Sequence, residues 1–197
     1  RDGEYSLLWL KAFGVQAVAV PGPHSAEYWK PFIQPRKFDG MLPVLWREDD
    51  TTIYRVPQRT AALAHVMRPD QLVRRRPIHG LDTDEVRRFV TALDSDSGPA
   101  VLEWRNSNRA RIRAVLKPGE IVSTQINYHP GWHATVNNGL RAIRADGIGL
   151  MVVDASCSGN CEIALEYDGG WEFRVCRAAS GGILLLFFTA GSLRYVY

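Results

Sequence analysis

The chain has 197 residues, 46% of them hydrophobic, with 24 Lys+Arg against 21 Asp+Glu and a net charge of +3. That length is ample for a real core in one large or two small domains, and the composition excludes disorder and collagen-like structure. So weak a positive charge gives no reason to expect a nucleic-acid partner.

In chain order, Glu4 to Phe13 reads as a helix, with Gly14 where a C-cap would be. Val15 to Val20 follows as a short strand stopped by Pro21-Gly22-Pro23. From His24 to Gly40 the chain is an ordered loop rich in proline and aromatics, among them Tyr28, Trp29 and Phe32 around Pro31. Met41 to Trp46 and Thr51 to Val56 predict a hairpin turning at Arg47–Asp50. Asp39, Glu48, Asp49 and Asp50 form the one acidic cluster, best read as a solvated hairpin tip because such turns favour Asp.

Ala61 to Met67 predicts a strand leaving a small N-terminal αβ subdomain, residues 1–68. Arg68 to Gly80 carries Arg74-Arg75-Arg76 and reads as a solvated linker; basic runs of this kind also bind polyanions or acidic lipid. Thr83 then caps a short helix with Val86, Phe89, Val90 and Leu93 on one face, so residues 69–98 form a linker with one helix. From Ala100 the pattern changes to short strands: 101–104, 110–116, 121–128, 134–136, 141–144, 149–154, 161–167 and 171–175. Each is bounded by a turn signal, with Asn138-Gly139 the strongest, and the spacing predicts an antiparallel β-sandwich over 99–177. The fold class expected is therefore α+β.

Residues 178–197 are apolar. Ala178 to Leu193 holds no charge, and Arg194, Tyr195 and Tyr197 follow it. Three readings stand: a short membrane span, a helix lying on a membrane, or a buried element of the domain. The first residues offer neither an initiator Met nor a signal-peptide h-region, as in a segment of a longer protein.

No catalytic motif is visible; Gly147-Ile148-Gly149 is a turn among strands, not a dinucleotide loop. No cofactor is implied, and a metal reading of the three cysteines is poor because Cys157 and Cys161 are spaced C-x3-C with no second pair. Tyr128, His129, Trp132 and His133 gather polar-tipped rings on one turn. Such rings stack on sugar or hold a metal; the alternative is structural, with Pro130-Gly131 making the turn and Trp132 pinning it by burial.

The segment from Tyr128 to Gly139, YHPGWHATVNNG, resembles the "YPGW-x-A-x-V-(D/N)-G" hairpin of YfhO-like bacterial membrane proteins. Glu162 to Tyr167 resembles that family's following strand. Leu7 to Val18 is similar to its "LL-x-x-L-G-V-K-Y-V" segment, and Ile53 to Val66 to its "V-x-L-Y-x-N-P…LPRA-x-x-V". The order of the matches is the family's. Gln16-Ala17 replaces the usual Lys-Tyr, the Pro-Arg of "LPRA" is missing, and Cys-Ser-Gly-Asn-Cys replaces "P-A-G-x-H".

The resemblance implies the C-terminal extracytoplasmic domain of a polytopic GT-C-type glycosyltransferase, at the outer (periplasmic or cell-surface) face of the cell membrane. The catalytic loop would lie elsewhere in the parent chain. The domain would act in cell-envelope glycan transfer by substrate selection or structural support. Its partners would be the transmembrane part of the same chain and a glycan or lipid-linked sugar. Tyr28 and Trp29 would meet that substrate or the membrane domain, unless they pack in the core. Tyr128, His129, Trp132 and His133 are the other candidates for substrate contact. In an oxidising compartment the hairpin spacing predicts a Cys157–Cys161 disulfide with Cys176 reduced. The rival reading is a free-standing secreted carbohydrate-binding or adhesion-type sandwich, and a soluble enzyme with an unrecognised site is a third.

Overall fold

The computed structural model describes residues 2–28, 30, 32–95 and 98–193. It is α+β, but its β-rich part is a closed antiparallel barrel rather than a sandwich. Helix α1 (Asp2–Ala12) leads into a three-stranded sheet of β1 (Ala17–Pro21), β2 (Val44–Glu48) and β3 (Thr51–Arg55), in the order β1-β3-β2. Then come β4 (Ala64–Met67), α2 (Asp84–Asp94), β5 (Pro99–Asn106), β6 (Arg109–Leu116), β7 (Ile121–Asn127), β8 (Trp132–Val136), β9 (Gly139–Ala145), β10 (Leu150–Asp154), β11 (Gly159–Tyr167) and α3 (Gly170–Leu193).

The barrel runs β10-β7-β4-β5-β6-β11-β8-β9, and β9 closes it by pairing with β10. Two-residue alternation fills its interior. Ala110, Ile112, Ala114 and Leu116 of β6 point in, as do Cys161, Ile163 and Leu165 of β11. Between them on the outer wall, Arg109 pairs with Glu166 at 2.7 Å, Arg111 with Glu162 at 3.4 Å, and Arg113 with Glu103. These are exposed pairs, worth roughly 0–1 kcal/mol each; they keep that wall wet more than they hold it. Alanines at 64, 100, 110, 114 and 134 alternate with Ile112, Ile163, Met151 and Leu165 inside, so the barrel is a packed core.

Expectation and structure part company at closure. The strands after residue 99 cannot close alone, because β4, from before the linker, sits between β5 and β7. Register breaks at Leu150/Val152 and Trp104/Asn106 mark bends in the strands. The stretch read as a solvated linker is partly core: Leu72 and Val73 are buried. They join Leu8 and Ala12 of α1 and Val86, Phe89, Val90 and Leu93 of α2 over Met67, Ile121, Leu150 and Val152. The barrel wall of β4, β7 and β10 is therefore buried on both faces, which explains the unbroken burial of β4 and of residues 150–153 in β10.

Smaller corrections follow the same logic. Residues 171–175 begin α3 and are not a strand. Thr83 occupies the N-cap of α2 without a side-chain capping bond, its carbonyl accepting from Arg87 N–H at 2.7 Å. The turn between β8 and β9 uses Asn137 and Asn138, both at positive φ, one residue earlier than Asn138-Gly139. Residues 24–40 contain a 3-10 turn, Pro35–Phe38, whose Phe38 is fully buried beneath Tyr54 and Phe32. Among the described residues no helix is long and apolar enough to cross a membrane.

One side chain joins α1 to the barrel. The Gln125 amide on β7 donates to the carbonyls of Lys11 (2.9 Å) and Ala12 (3.1 Å) at the C-terminus of α1, where Lys11 also accepts from Gly14 N–H at 3.0 Å. Gly14, at φ +69°, makes room for it; a Cβ there would sit 2.6 Å from Gln125 Oε1. With its nitrogen spent on α1, Gln125 offers Oε1 to His65 Nε2 at 3.3 Å, which makes His65 the Nε2–H tautomer. His65 is buried, and burial is the main cause holding its pKa below the usual value of 6.5, against the Gln125 bond.

Gln125→Leu should cost about 1–3 kcal/mol, from an orphaned Ala12 carbonyl and a His65 Nε2–H left without Gln125, read as a lower denaturant midpoint. His65 adds a pH dependence. Its folded pKa lies below the unfolded value, so the unfolded chain binds the extra proton. The melting temperature should fall as pH drops below about 6.5, and His65→Asn should flatten that fall.

Candidate functional site

The turn that carries the candidate rings begins where β7 ends. Trp132 N–H donates to the His129 carbonyl at 3.0 Å, and Gly131 N–H to His129 Nδ1 at 3.0 Å. His129 Nδ1 is therefore an acceptor, and its proton sits on Nε2. Tyr128 N–H donates to the Gly149 carbonyl at 2.8 Å, tying the turn to the loop before β10.

A second turn, Tyr167 to Gly170, packs against the first and launches α3. Asp168 N–H donates to the Gly131 carbonyl at 2.9 Å, and Asp168 Oδ1 accepts from Gly170 N–H at 2.9 Å. The other carboxylate oxygen lies 3.3 Å from His133 Nε2. Gly131 is needed because the turns touch: a Cβ there would lie 2.6 Å from Gly170 N and 2.9 Å from the Tyr167 ring.

Strand register does the rest. Tyr167 pairs with Trp132 across β11 and β8, and their rings lie 5.2 Å apart. His129 meets Tyr167 edge-on at 5.4 Å, and Trp104 of β5 reaches Trp132 at 6.1 Å. The Asn108 carbonyl accepts from Tyr167 N–H at 2.8 Å, so the β5–β6 turn stands at the same end of the barrel. Tyr128 and Trp132 also pack on the interior cluster. The rings plug this end of the barrel and leave an aromatic rim: His133 and Trp104 are exposed, while His129, Trp132 and Tyr167 are half-buried.

Of the residues picked from sequence, Tyr128, His129, Trp132 and His133 share this rim. Tyr28 does not join it; it is fully exposed on the loop between β1 and β2, with no ring contact among the described residues. Trp29 lies outside the described residues. Trp104, Tyr167 and Asp168 escaped the sequence reading. Tyr167 stood directly before the Asp168-Gly169-Gly170 turn, but only pairing with β8 reveals its partner.

The Cys157–Cys161 disulfide is present at the opposite end of β11, with Cys176 free and exposed on α3. The acidic residues serve structure: Asp39 accepts from Tyr54 O–H, and Asp50 Oδ2 accepts from His24 N–H at 2.6 Å.

Chemically, the rim offers flat ring faces and one His–carboxylate pair. Among the described residues no three potential ligands gather for a metal ion. His129 spends Nδ1 on the Gly131 N–H, which removes one ligand atom. The arrangement suits binding by stacking and hydrogen bonding. Searches against family models, curated proteins and solved structures find no match for this chain.

Gly131→Ala should lower stability by about 1–3 kcal/mol, because the methyl forces the two turns apart. Thermal melting checks the loss. Tryptophan emission should shift to the red as Trp132 is uncovered.

Proposed function

We propose that this chain is an extracytoplasmic accessory domain, held at the membrane of a bacterial cell by α3 and presenting the aromatic rim to a glycan or lipid-linked sugar. In this reading it belongs to a polytopic membrane protein resembling the YfhO-like, GT-C-type glycosyltransferases. It serves cell-envelope glycan transfer by selecting substrate or supporting the parent's fold.

One observation carries the reading: the aromatic rim and the root of α3 share one end of the barrel. Helix α3 starts from that end, directly after the turn that packs on the rim. Trp171, Phe173, Val175 and Ile183 are each more than half exposed. Charges occur only early, at Glu172, Arg174 and Arg177. The charge-free part, Ala178 to Leu193, extends about 24 Å at ~1.5 Å per residue. That depth suits a helix that enters a bilayer with its arginines at the headgroups and Trp171 at the interface. A disulfide fits an oxidising compartment.

The flat faces of the rim's rings fit recognition of a sugar by stacking. The catalytic acid would be supplied by the parent's membrane part.

The test is flotation with phosphatidylcholine/phosphatidylglycerol vesicles. The full chain should float with the vesicles. A variant lacking residues 181–197 should stay behind with an unchanged, cooperative melt, and neither should transfer sugar on its own. Failure of the full chain to bind vesicles, or loss of the cooperative melt on deletion, would overturn the anchor reading.

A further inference from the structure

A second site lies away from the rim. An open cavity of about 730 Å³ is lined by Trp9 and Phe13 of α1, by Arg74, Arg76 and His79, and by the Gly147-Ile148-Gly149 loop. Its size is within the ordinary range for small-ligand pockets.

The basic segment is bolted down. Arg74 and Arg75 N–H both donate to Glu85 Oε2, at 2.6 and 3.2 Å. The Arg75 guanidinium grips Asp82 with two bonds, at 2.6 and 2.7 Å, and Asp82 also accepts from Ile78 N–H at 3.0 Å. The Arg75 fork is the leading reason that the Asp82 pKa falls to about 2. Trp9 Nε1–H donates to the Gly80 carbonyl at 2.8 Å, pinning the far end of the segment on α1.

That anchoring uses Arg75 alone. Arg74 and Arg76 both line the cavity, while Arg75 between them does not. Neither makes an ion pair among the described residues. Both thus line the cavity on a fixed segment; Asp70, the carboxylate that feels Arg74, is already paired with Arg68 at 3.1 Å. Across from them Trp9 and Phe13 stack at 5.9 Å, their planes 19° apart, forming a flat apolar wall. The remaining wall is rigid: Gly147 N–H donates to the Val73 carbonyl at 2.6 Å, and Asp146 Oδ1 accepts from Ile148 and Leu150 N–H, each at 2.9 Å. Asp146 also lines the cavity; its carboxyl is buried, which raises its pKa, and its Oδ1 is taken up by the N–H groups of its own loop.

We infer that this cavity binds a phosphate group carried on a ring, with Arg74 and Arg76 holding the phosphate and Trp9 and Phe13 taking the ring face. Guanidinium forks match phosphate geometry, and two of them suit a dianion better than a single carboxylate. An aromatic wall gives the attached ring a surface to lie on. The site stands apart from the membrane reading, since it uses neither the rim nor α3. The ring-borne phosphate has two sources, a soluble sugar phosphate or the inositol phosphate headgroup of a lipid.

Calorimetric titration of the full chain with glucose 1-phosphate and with inorganic phosphate tests the inference, alongside flotation on phosphatidylcholine vesicles with and without phosphatidylinositol 4-phosphate. Glucose 1-phosphate or the phosphoinositide vesicle should bind, and whichever does identifies the source. Arg74→Gln/Arg76→Gln should weaken that binding by roughly tenfold or more with an unchanged melt. Trp9→Leu should reduce binding of the sugar phosphate or headgroup while sparing inorganic phosphate. Arg68→Gln/Arg88→Gln removes the same charge elsewhere and should leave affinity intact. No binding of either ring-borne phosphate would overturn the inference, and so would equal losses in the two double variants. Vesicle binding that disappears on deleting 181–197 but ignores Arg74 and Arg76 would belong to α3 and would likewise count against this site.

Discussion

The constraint on which the rest depends is closure of the barrel through β4. A sheet that ends in open edges leaves rows of unpaired backbone groups, and closing it removes them. Here closure requires a strand from residues 64–67 to enter between β5 and β7. That insertion decides where α1, α2 and the segment between them must lie. They cover the outer face of β4, β7 and β10, and the second apolar cluster forms in the gap. Gln125 then ties α1 to β7 through two helix carbonyls, with His65 of β4 on its other end. The N-terminal helix, the barrel and the segment once expected to be solvated thus share one core.

Both ends of the barrel inherit their features from this arrangement. At one end the rings of Trp104, Trp132, Tyr167 and His129 replace a polar lid, and the turn that completes the plug is also the first turn of α3. At the other end the short disulfide loop joins β10 to β11. The anion-suited cavity lies against the covered wall, where α1, the basic segment and the loop before β10 converge.

Local structure was legible in the sequence wherever local chemistry decides it. Gly14 ended α1, the face of Val86, Phe89, Val90 and Leu93 placed α2, and most strands fell within a residue or two of their expected places. What could not be read was pairing. The alternation in β6 and β11 is the same in a sandwich as in a barrel, because period-two burial reports that a face is covered and not what covers it. The basic character of residues 68–80 masked Leu72 and Val73, which tertiary packing buries. Trp171, Phe173 and Val175 looked like a strand by alternation, yet they begin a helix and are each more than half exposed. Half the rim was visible as YHPGW; Tyr167 and Trp104 needed the register to bring them there.

Native-state hydrogen exchange on the full chain tests the central claim most directly. If β4 closes the barrel, the bonded amide protons of Ala64–Met67 should exchange with the same high opening free energy as those of β7, including Val122 and Thr124, as one cooperative unit. Exchange of β4 at the faster rate of the β1–β3 sheet, with β7 still protected, would contradict a barrel that depends on it.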